Sequence, residues 1–354
     1  MRIYDDPKFL NLPEDVARLF SKTARSSFFN TQGWYNLVSR FGTRSGWRPQ
    51  VIADDNLNAA FVLQLPVSAK LRELASCINA YSCEHAIIAD GDAEIVSKLG
   101  TEIARSNPQR FRIQLAGLDP SEDAFAAAQE GLQKAGFATR PFFCWGNWFE
   151  NVEGKTFDEY VDGRPSILAS TWKRKLNALQ KKNQAVFEIC DSQDDLQLFS
   201  AAYDRVHAQS WKEQEPFPRF IPELIRHAAS VGALRLGVLK IGGEPAAAQF
   251  WIVWRGNATI FKLVHADRFR EFSPGTLLTM HMIKHIISKD APSEIDFGRG
   301  DDEYKKLWVS SRRERWGIDG ANLRTPRGAM LAAHMIAGRM RKSLFDLTGA
   351  SRPR

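Results

Sequence analysis

Residues 243–287 read GEPAAAQFWIVWRGNATIFKLVHADRFREFSPGTLLTMHMIKHII, and residues 294–308 read EIDFGRGDDEYKKLW. After a glycine-rich turn, the nearly unbroken apolar run at residues 246–254 predicts a strand that is covered on both faces. A second strand is predicted over residues 258–265, and a helix follows it over residues 276–289. A short strand and a charged segment complete the region. This order of elements decides the fold that we expect.

The loop before that helix is the strongest local signal. Ser273 is a good N-cap residue, and Pro274 suits the first helical position, where no amide hydrogen is needed. Gly275 has no side chain and lets a ligand approach the backbone. The amides of Gly275, Thr276 and Leu277 should therefore be free, and with the helix dipole they predict an anion-binding site. The alternative is a well-capped helix without a ligand.

The rest of the chain alternates helical and strand-like patterns, so that both halves follow a similar mixed α/β plan. We expect a first lobe over residues 1–150, a second lobe over residues 151–325 and a basic tail over residues 326–354. The predicted elements outside the opening segment include helices at residues 12–41, 92–106, 121–135 and 194–209, and strands at residues 50–53, 59–66, 110–115, 142–149 and 234–241.

Composition is that of an ordinary globular protein, with 354 residues, 44% hydrophobic residues and a net charge of +7. The basic balance favours anionic ligands without choosing among them. Neither a signal core nor a transmembrane run is predicted, and we expect a cytoplasmic protein. Four cysteines in a chain of this length do not form a disulfide framework and predict reduced thiols: Cys77, Cys83, Cys144 and Cys190.

A basic helix is predicted within residues 155–185. Trp172, Leu176 and Leu179 mark its apolar stripe, and no acid stands between Arg164 and Phe187. Its cations are Lys173, Arg174, Lys175, Lys181 and Lys182. They predict either binding of donor phosphates or an acidic acceptor, or a solvated face. Arg174 is the candidate for substrate binding, because a guanidinium grips phosphate bidentately.

The segments quoted above resemble the FemAB/CelD-like acyltransferase group of the GNAT superfamily. The matching positions are Gly243, Pro245, Ala246, Asp267, Ser273, Pro274, Gly275, Asp296, Gly298, Gly300, Tyr304, Lys305 and Trp308. The resemblance implies two GNAT-like lobes, each with a mixed central sheet flanked by helices. It also implies transfer of an acyl group from a thioester, acyl-CoA in the first instance, to an amine or hydroxyl. Relatives in exopolysaccharide and cell-envelope pathways suggest a small-molecule or sugar-linked acceptor.

The expected reaction gives roles to several residues. Asp296 is the candidate base, or else a structural aspartate that closes the Gly298 turn. Tyr304 is the candidate proton donor to the leaving group, and Lys305 the candidate ligand of a phosphate or oxyanion. Donor binding falls to Ser273, Gly275, Thr276 and Leu277, and substrate binding to Arg174, Trp211 and Arg270.

One departure from the GNAT pattern keeps the donor open. Phe272 stands where the phosphate loop usually has Gln or Arg, and Leu277 stands in place of its second small residue. The alternatives are therefore a transferase that uses aminoacyl-tRNA, and a non-catalytic binding protein that keeps the fold.

We expect no metal site. His281 and His285 have helical metal-pair spacing but lack the HExxH glutamate, and the acids at residues 301–303 are consecutive rather than convergent. The tail could contact a membrane surface as a basic amphipathic helix, although a helix packed on the protein is the favoured interpretation.

Overall fold

The structure is a computed structural model that describes residues 1–5, 12–23, 27–68, 72–89, 91–181 and 185–348, with only the backbone for residues 22, 23 and 338–348. Its strands are β1 (Arg2–Tyr4), β2 (Trp47–Ala53), β3 (Ala59–Pro66), β4 (Glu73–Ser76), β5 (Ile88–Ala89), β6 (Arg112–Leu118), β7 (Phe137–Asn151), β8 (Ala185–Cys190), β9 (Leu234–Ile241), β10 (Glu244–Trp254), β11 (Asn257–His265), β12 (Glu294–Arg299) and β13 (Ser311–Asn322). Its α-helices are α1 (Glu14–Thr23), α2 (Gln32–Leu37), α3 (Ala93–Arg105), α4 (Asp123–Lys134), α5 (Phe157–Asp162), α6 (Ser166–Gln180), α7 (Leu196–Ala208), α8 (Phe220–Ser230), α9 (Pro274–Lys289) and α10 (Pro326–Thr348).

The chain forms two compact units. The first unit comprises residues 1–23, 38–145 and 314–354, and the second unit comprises residues 24–37 and 146–313. The chain passes from one unit to the other on either side of residues 24–37, and again within strands β7 and β13. The predicted lobes are continuous stretches that end at residues 150 and 325, whereas each unit combines separate stretches of the chain. The lobe boundaries stay a prediction.

In the first unit the strand order is β1-β2-β3-β4-β6-β13-β7. Strands β2, β3 and β4 form an antiparallel meander, and β4 pairs with β6 in parallel. A parallel neighbour requires a crossover, and α3 supplies it. Apolar faces of α3 and α4 pack on the sheet through side chains such as Leu99, Leu132 and Ile113.

In the second unit the strand order is β7-β12-β11-β10-β9-β8. Only the β11–β12 pair of this order is parallel, and helix α9 is its crossover. Helix α9 is buried along much of its length and packs through residues such as Leu278, Met282 and Ile286. Gly237 of β9 permits this close approach, because a Cβ there would lie 2.3 Å from the Met282 Sδ. The predicted mixed α/β organisation, two lobes with sheets flanked by helices, is confirmed.

An aromatic cluster explains why residues 24–37 belong to the second unit. Within this segment, the Trp34 ring lies 5.5 Å from Phe220 of α8, and the Phe29 ring stacks 6.1 Å from Phe261 of β11. Phe28 meets Trp254 edge to face at 5.7 Å. Aromatic pairs of this kind add to the energy of area burial.

Several elements differ from the sequence-based expectation. The helix predicted over residues 12–41 is broken into α1, a 3-10 turn at Phe28–Asn30, α2 and a π turn at Val38–Gly42. The predicted basic helix starts only at Ser166, because a residue before proline is disfavoured in helical conformation and Pro165 separates α5 from α6. Lys182, assigned to that helix, lies outside the described residues. The elements that were not predicted are strands β1, β4, β5, β8 and β13 and helix α8.

The described part of α10 begins as a helix packed on the first unit. Met335 and Ala332 are buried against Ala321, whereas Met330 and Ile336 are exposed. The side chains of Arg339, Met340, Arg341 and Lys342, on which the membrane-contact alternative rests, lie outside the described residues. Among the described residues, no helix has the length and apolar character needed to cross a bilayer.

Candidate active site

Strands β11 and β12 run together for a short distance and then part. Their pairing begins at Asn257 and Glu294 and stops at the Thr259–Asp296 pair. β11 continues to His265, and over this fully described stretch that side of the strand has no further partner in the sheet. A free strand edge presents backbone donors and acceptors to an extended ligand. The parting therefore opens a cleft with a polar backbone wall.

A β-bulge lies where the strands part. Phe250 of β10 faces Lys262, and the next residue, Trp251, faces Ile260, so the register of the pair shifts by one residue at Phe261. Bulges re-aim backbone groups and are frequent beside active sites. The bulge therefore directs the backbone around Phe261 differently from the rest of β11.

The N-terminus of α9 lies at the end of β11. A Cβ on Gly275 would lie 3.6 Å from the His265 Cδ2, so this glycine borders the last residue of the strand. Ser273 has φ 54° and ψ 50°, and its side chain makes no capping bond. Ser273 thus stands at the predicted N-cap position, but with left-handed backbone and without a capping bond to its hydroxyl. Ordinary helix geometry still leaves the Gly275 and Thr276 amides without intrahelical acceptors.

Leu277 was predicted to contribute its amide to this anion site, but the structure shows that it does not. Its amide donates to the Ser273 carbonyl at 3.1 Å, and its side chain is fully buried. The anion-binding groups are therefore reduced to the amides of Gly275 and Thr276. Phe272 packs against the same core as Leu277, so neither residue offers a polar group to a phosphate.

Helix α6 lies beside this loop. The Lys175 ammonium donates to the Glu271 carbonyl, two residues before Ser273. Lys173, Arg174 and Lys181 are exposed on the same helix. The structure thus brings the predicted basic helix close to the predicted anion site, although the Arg174 side chain itself faces solvent.

Trp211 lies over the end of β11. Its ring centroid is 4.3 Å from that of His265, and 54% of its surface is exposed. The Gln209 carbonyl accepts from the Asp267 amide at 3.1 Å, which fixes the loop that carries Trp211. Arg270 is exposed in the loop before Ser273. Trp211 and Arg270 therefore lie on segments that flank the cleft.

Three residues of this region were missed by the sequence reasoning. The Lys262 ammonium bonds both oxygens of Glu215, at 2.7 and 3.0 Å. Burial lowers the pKa of His265, which keeps the imidazole neutral at pH 7. Lone histidines, lysines and glutamates carry no spacing signal, so only the fold brings these three together.

Asp296 is buried and fully engaged. One carboxylate oxygen accepts from the Asn147 side chain at 2.6 Å and from the Gly298 amide at 2.5 Å. The other pairs with Arg313 at 2.7 Å, and Arg313 also pairs with Glu294. This network favours the structural alternative, an aspartate that closes the Gly298 turn, over the candidate base.

Lys305 and Tyr304 have different surroundings. Lys305 is 3% exposed, and its ammonium donates to the Arg299 and Gly300 carbonyls at 2.9 and 3.1 Å. It therefore holds the loop after β12, which speaks against the predicted contact with a phosphate or oxyanion. The Tyr304 side chain is 48% exposed, and burial of its remainder, with Asp302 adding to the effect, raises the pKa of Tyr304 to about 12. Its phenol stays protonated at neutral pH.

No group of three or more His, Cys, Asp or Glu among the described residues is arranged to share a metal ion. His281 stacks on Phe187 with ring centroids 4.4 Å apart. Asp301 pairs with Arg312 at 2.7 Å. Both features that resembled metal ligands thus have other contacts.

Residues 168–306, which contain the cleft, the bulge and α9, match the family model described as an acetyltransferase (GNAT) domain. The predicted GNAT resemblance is confirmed for this segment, which is similar to the acetyltransferase domains that the model describes. No curated protein matches the chain as a whole or in part at a significant level.

Solved structures similar in fold cover almost the whole chain. FemX superposes with a TM-score of 0.64 at 13% identity, over 94% of this chain and 100% of that chain. The C-terminal domain of a putative lysylphosphatidylglycerol synthetase from Agrobacterium fabrum gives 0.55 at 12% identity, over 91% and 96%. L-PGS from Bacillus licheniformis gives 0.53 at 10%, over 92% and 94%. At these identities the likeness shows the fold, which agrees with the predicted FemAB-like architecture.

Proposed function

We propose that the protein transfers an acyl group from a thioester, on coenzyme A or another pantetheine carrier, to an amine or hydroxyl. One observation carries the proposal: β11 and β12 part beside a bulge, and β11 then runs on to a helix N-terminus that has no side-chain cap. Such a cleft can bind an extended pantetheine along the β11 edge and a phosphate at the Gly275 and Thr276 amides.

The chemistry needs few side chains. The acceptor attacks the thioester carbonyl, the new C–N or C–O bond forms and the C–S bond breaks. Backbone amides at the β11 edge stabilise the oxyanion, which is commonly the largest catalytic contribution. A lysine-like amine has a pKa of about 10.4, so its proton must pass to a base or to water. The protonated phenol of Tyr304 donates a hydrogen bond to the leaving thiolate.

The acceptor side is assigned to Trp211 and Arg270. The exposed indole face of Trp211 suits stacking against a sugar ring, and Arg270 suits an anionic group on the same molecule. Both support a sugar-linked acceptor, which would place the reaction in exopolysaccharide or cell-envelope synthesis.

A thiol-release assay tests this proposal. Acetyl and octanoyl thioesters of pantetheine and coenzyme A are offered with amino-sugar acceptors, and the product is identified by mass spectrometry. We expect acceptor-dependent thiol release. Folded protein that neither binds nor turns over any thioester would contradict the proposal.

The exposed cations of α6 favour one second candidate, a transferase that takes its acyl group from aminoacyl-tRNA. Filter binding with charged tRNA separates the two. Tight binding that falls steeply with salt, together with aminoacyl transfer, would favour tRNA, because phosphate contacts release counterions.

A further inference from the structure

The outer face of α6 combines one exposed apolar side chain with exposed cations. Ile167 is 64% exposed, and Arg174 and Lys181 are exposed on the same side at seven-residue intervals, which is about two helical turns each. Lys173 adjoins Arg174. The opposite side of the helix packs into the core through Leu168, Trp172, Leu176 and Leu179. This outer surface, the α6 face, comprises Ile167, Lys173, Arg174 and Lys181.

The charge on the α6 face is not neutralised locally. No acid stands between residues 164 and 187. Within the described residues, the salt bridges of the second unit do not include Lys173, Arg174 or Lys181. A cationic face of this kind attracts a partner with an acidic surface.

The α6 face is also placed to serve the donor cleft. Lys175, on the same helix, bonds the Glu271 carbonyl next to the α9 N-terminus. The site offers two free amides, whereas Phe272 and Leu277 fill the adjoining positions with apolar groups. A donor with a single phosphate suits this site better than the pyrophosphate and nucleotide of coenzyme A.

We propose that the α6 face docks an acyl carrier protein, a small acidic protein that holds its acyl group as a thioester on a phosphopantetheine arm, and that the arm enters the cleft between β11 and β12. This inference rests on the proposed acyltransferase function and names its donor partner. Charge complementarity holds the carrier, while the cleft and the two α9 amides hold the arm and its phosphate.

The exposed Ile167 distinguishes a protein partner from RNA. Protein interfaces combine a buried apolar contact with a charged rim, whereas a helix that binds nucleic acid through phosphates gains nothing from an exposed isoleucine. The α6 face therefore offers an apolar contact near the start of the helix and cations along the turns that follow it.

Binding is the direct test and needs no knowledge of the acyl chain. Fluorescence anisotropy measures the affinity of the full chain for a labelled holo acyl carrier protein. The double variant Lys173→Glu with Lys181→Glu should weaken binding about tenfold or more, and raised salt should weaken the wild-type complex. Lys98→Glu with Arg327→Glu, which reverses two exposed helical cations of the first unit, is the matched control and should bind as wild type.

Turnover measurements distinguish docking of a carrier protein from the proposed acyltransferase activity. Wild type should use a carrier-bound thioester with a kcat/KM at least about tenfold above that of the coenzyme A thioester. The α6 double variant should lose that preference through KM and keep wild-type turnover of acyl-pantetheine, which also shows that it is folded.

Each result decides one claim. Absence of carrier binding, or binding that the α6 double variant leaves unchanged, overturns the docking proposal while thioester turnover keeps the proposed function. Preferential use of charged tRNA overturns it in favour of RNA. Carrier binding without turnover of any thioester overturns the proposed function instead.

Discussion

Helix α9 of the second unit and helix α3 of the first unit occupy the same place in the same topology, yet their N-termini differ. Each follows an antiparallel meander and crosses to a parallel strand. In α3 the Asp92 carboxylate caps the Glu94 and Ile95 amides at 2.9 and 3.2 Å. In α9 the equivalent amides, those of Gly275 and Thr276, have no side-chain cap. The N-terminal amides of α3 are therefore hydrogen-bonded within the chain, whereas those of α9 are open to a ligand.

The clefts beside these helices also differ: the one in the first unit is filled by its own chain, and the one in the second unit is open. In the first unit, the chain after β4 runs along β6, where the His85 amide donates to the Gly117 carbonyl at 2.8 Å. Trp145 donates from its indole to the Cys83 carbonyl at 2.9 Å and covers Gly117. Buried side chains of residues 77–87 thus fill the space that is open between β11 and β12. We therefore expect one donor per chain, bound in the second unit.

The largest expected effect comes from opening the filled cleft. Trp145→Ala should destabilise the first unit by about 3–5 kcal/mol, because it removes a buried indole and leaves a cavity. Chemical denaturation measures the loss. Trp211→Ala, which removes an exposed indole in the second unit, is the control and should cost little stability. If native mass spectrometry then finds two donors on each Trp145→Ala chain, the first unit is a masked site and not a structural one.

The filled cleft also predicts acid sensitivity. Burial lowers the pKa of His85 to about 3, against an ordinary value of 6.5. Because the unfolded chain binds the proton more readily, stability that is present above pH 6.5 is lost as the pH falls toward 3, by about 1.4 kcal/mol per pH unit.

The matched variant is His85→Gln, measured by denaturation at several pH values. It should flatten the stability profile between pH 6.5 and 4, whatever its effect at pH 7. An unchanged slope would mean that other groups cause the acid loss.

Asp296 marks another difference between the clefts. It stands on β12 at the last paired position, where β6 of the first unit has Gln114. Asp296→Asn should lower stability by about 1–3 kcal/mol, because the amide cannot accept from Arg313 as the carboxylate does. If Asp296 acts structurally, the folded variant keeps most of its kcat. A loss of kcat of about a hundredfold with unchanged stability would instead identify a base.

The sequence predicted more of the fold than of the site. Strands β3 and β9 were predicted to the residue, because a polar turn before β3, a glycine turn after β9 and continuous apolar runs carry strong local signals. β1, β4 and β5 were missed because strands of two to four residues carry no period, and β8 and β13 because charged and apolar residues mix in them. Loop geometry was the weakest point: the SPG motif indicated an open helix start, but the left-handed Ser273 and the engaged Leu277 amide depend on packing that no spacing encodes.

The smallest expected effect on stability comes from substitutions at the N-termini of α9 and α3. Thr276→Asp places a carboxylate in the first turn of α9, as Glu94 stands in α3. The helix dipole should make the variant equal or slightly more stable, by about 0.3–1 kcal/mol, while the carboxylate repels a donor phosphate.

The KM for a phosphate-bearing thioester should therefore rise about tenfold, and acyl-pantetheine, which lacks the phosphate, should be turned over as by wild type. Asp92→Ala is the counterpart in α3. It should cost about 1 kcal/mol of stability and leave the donor KM unchanged, because those amides serve the fold. A higher donor KM in Asp92→Ala would show that the first unit takes part in donor binding, and the contrast between the two helix starts would then no longer separate a working cleft from a structural one.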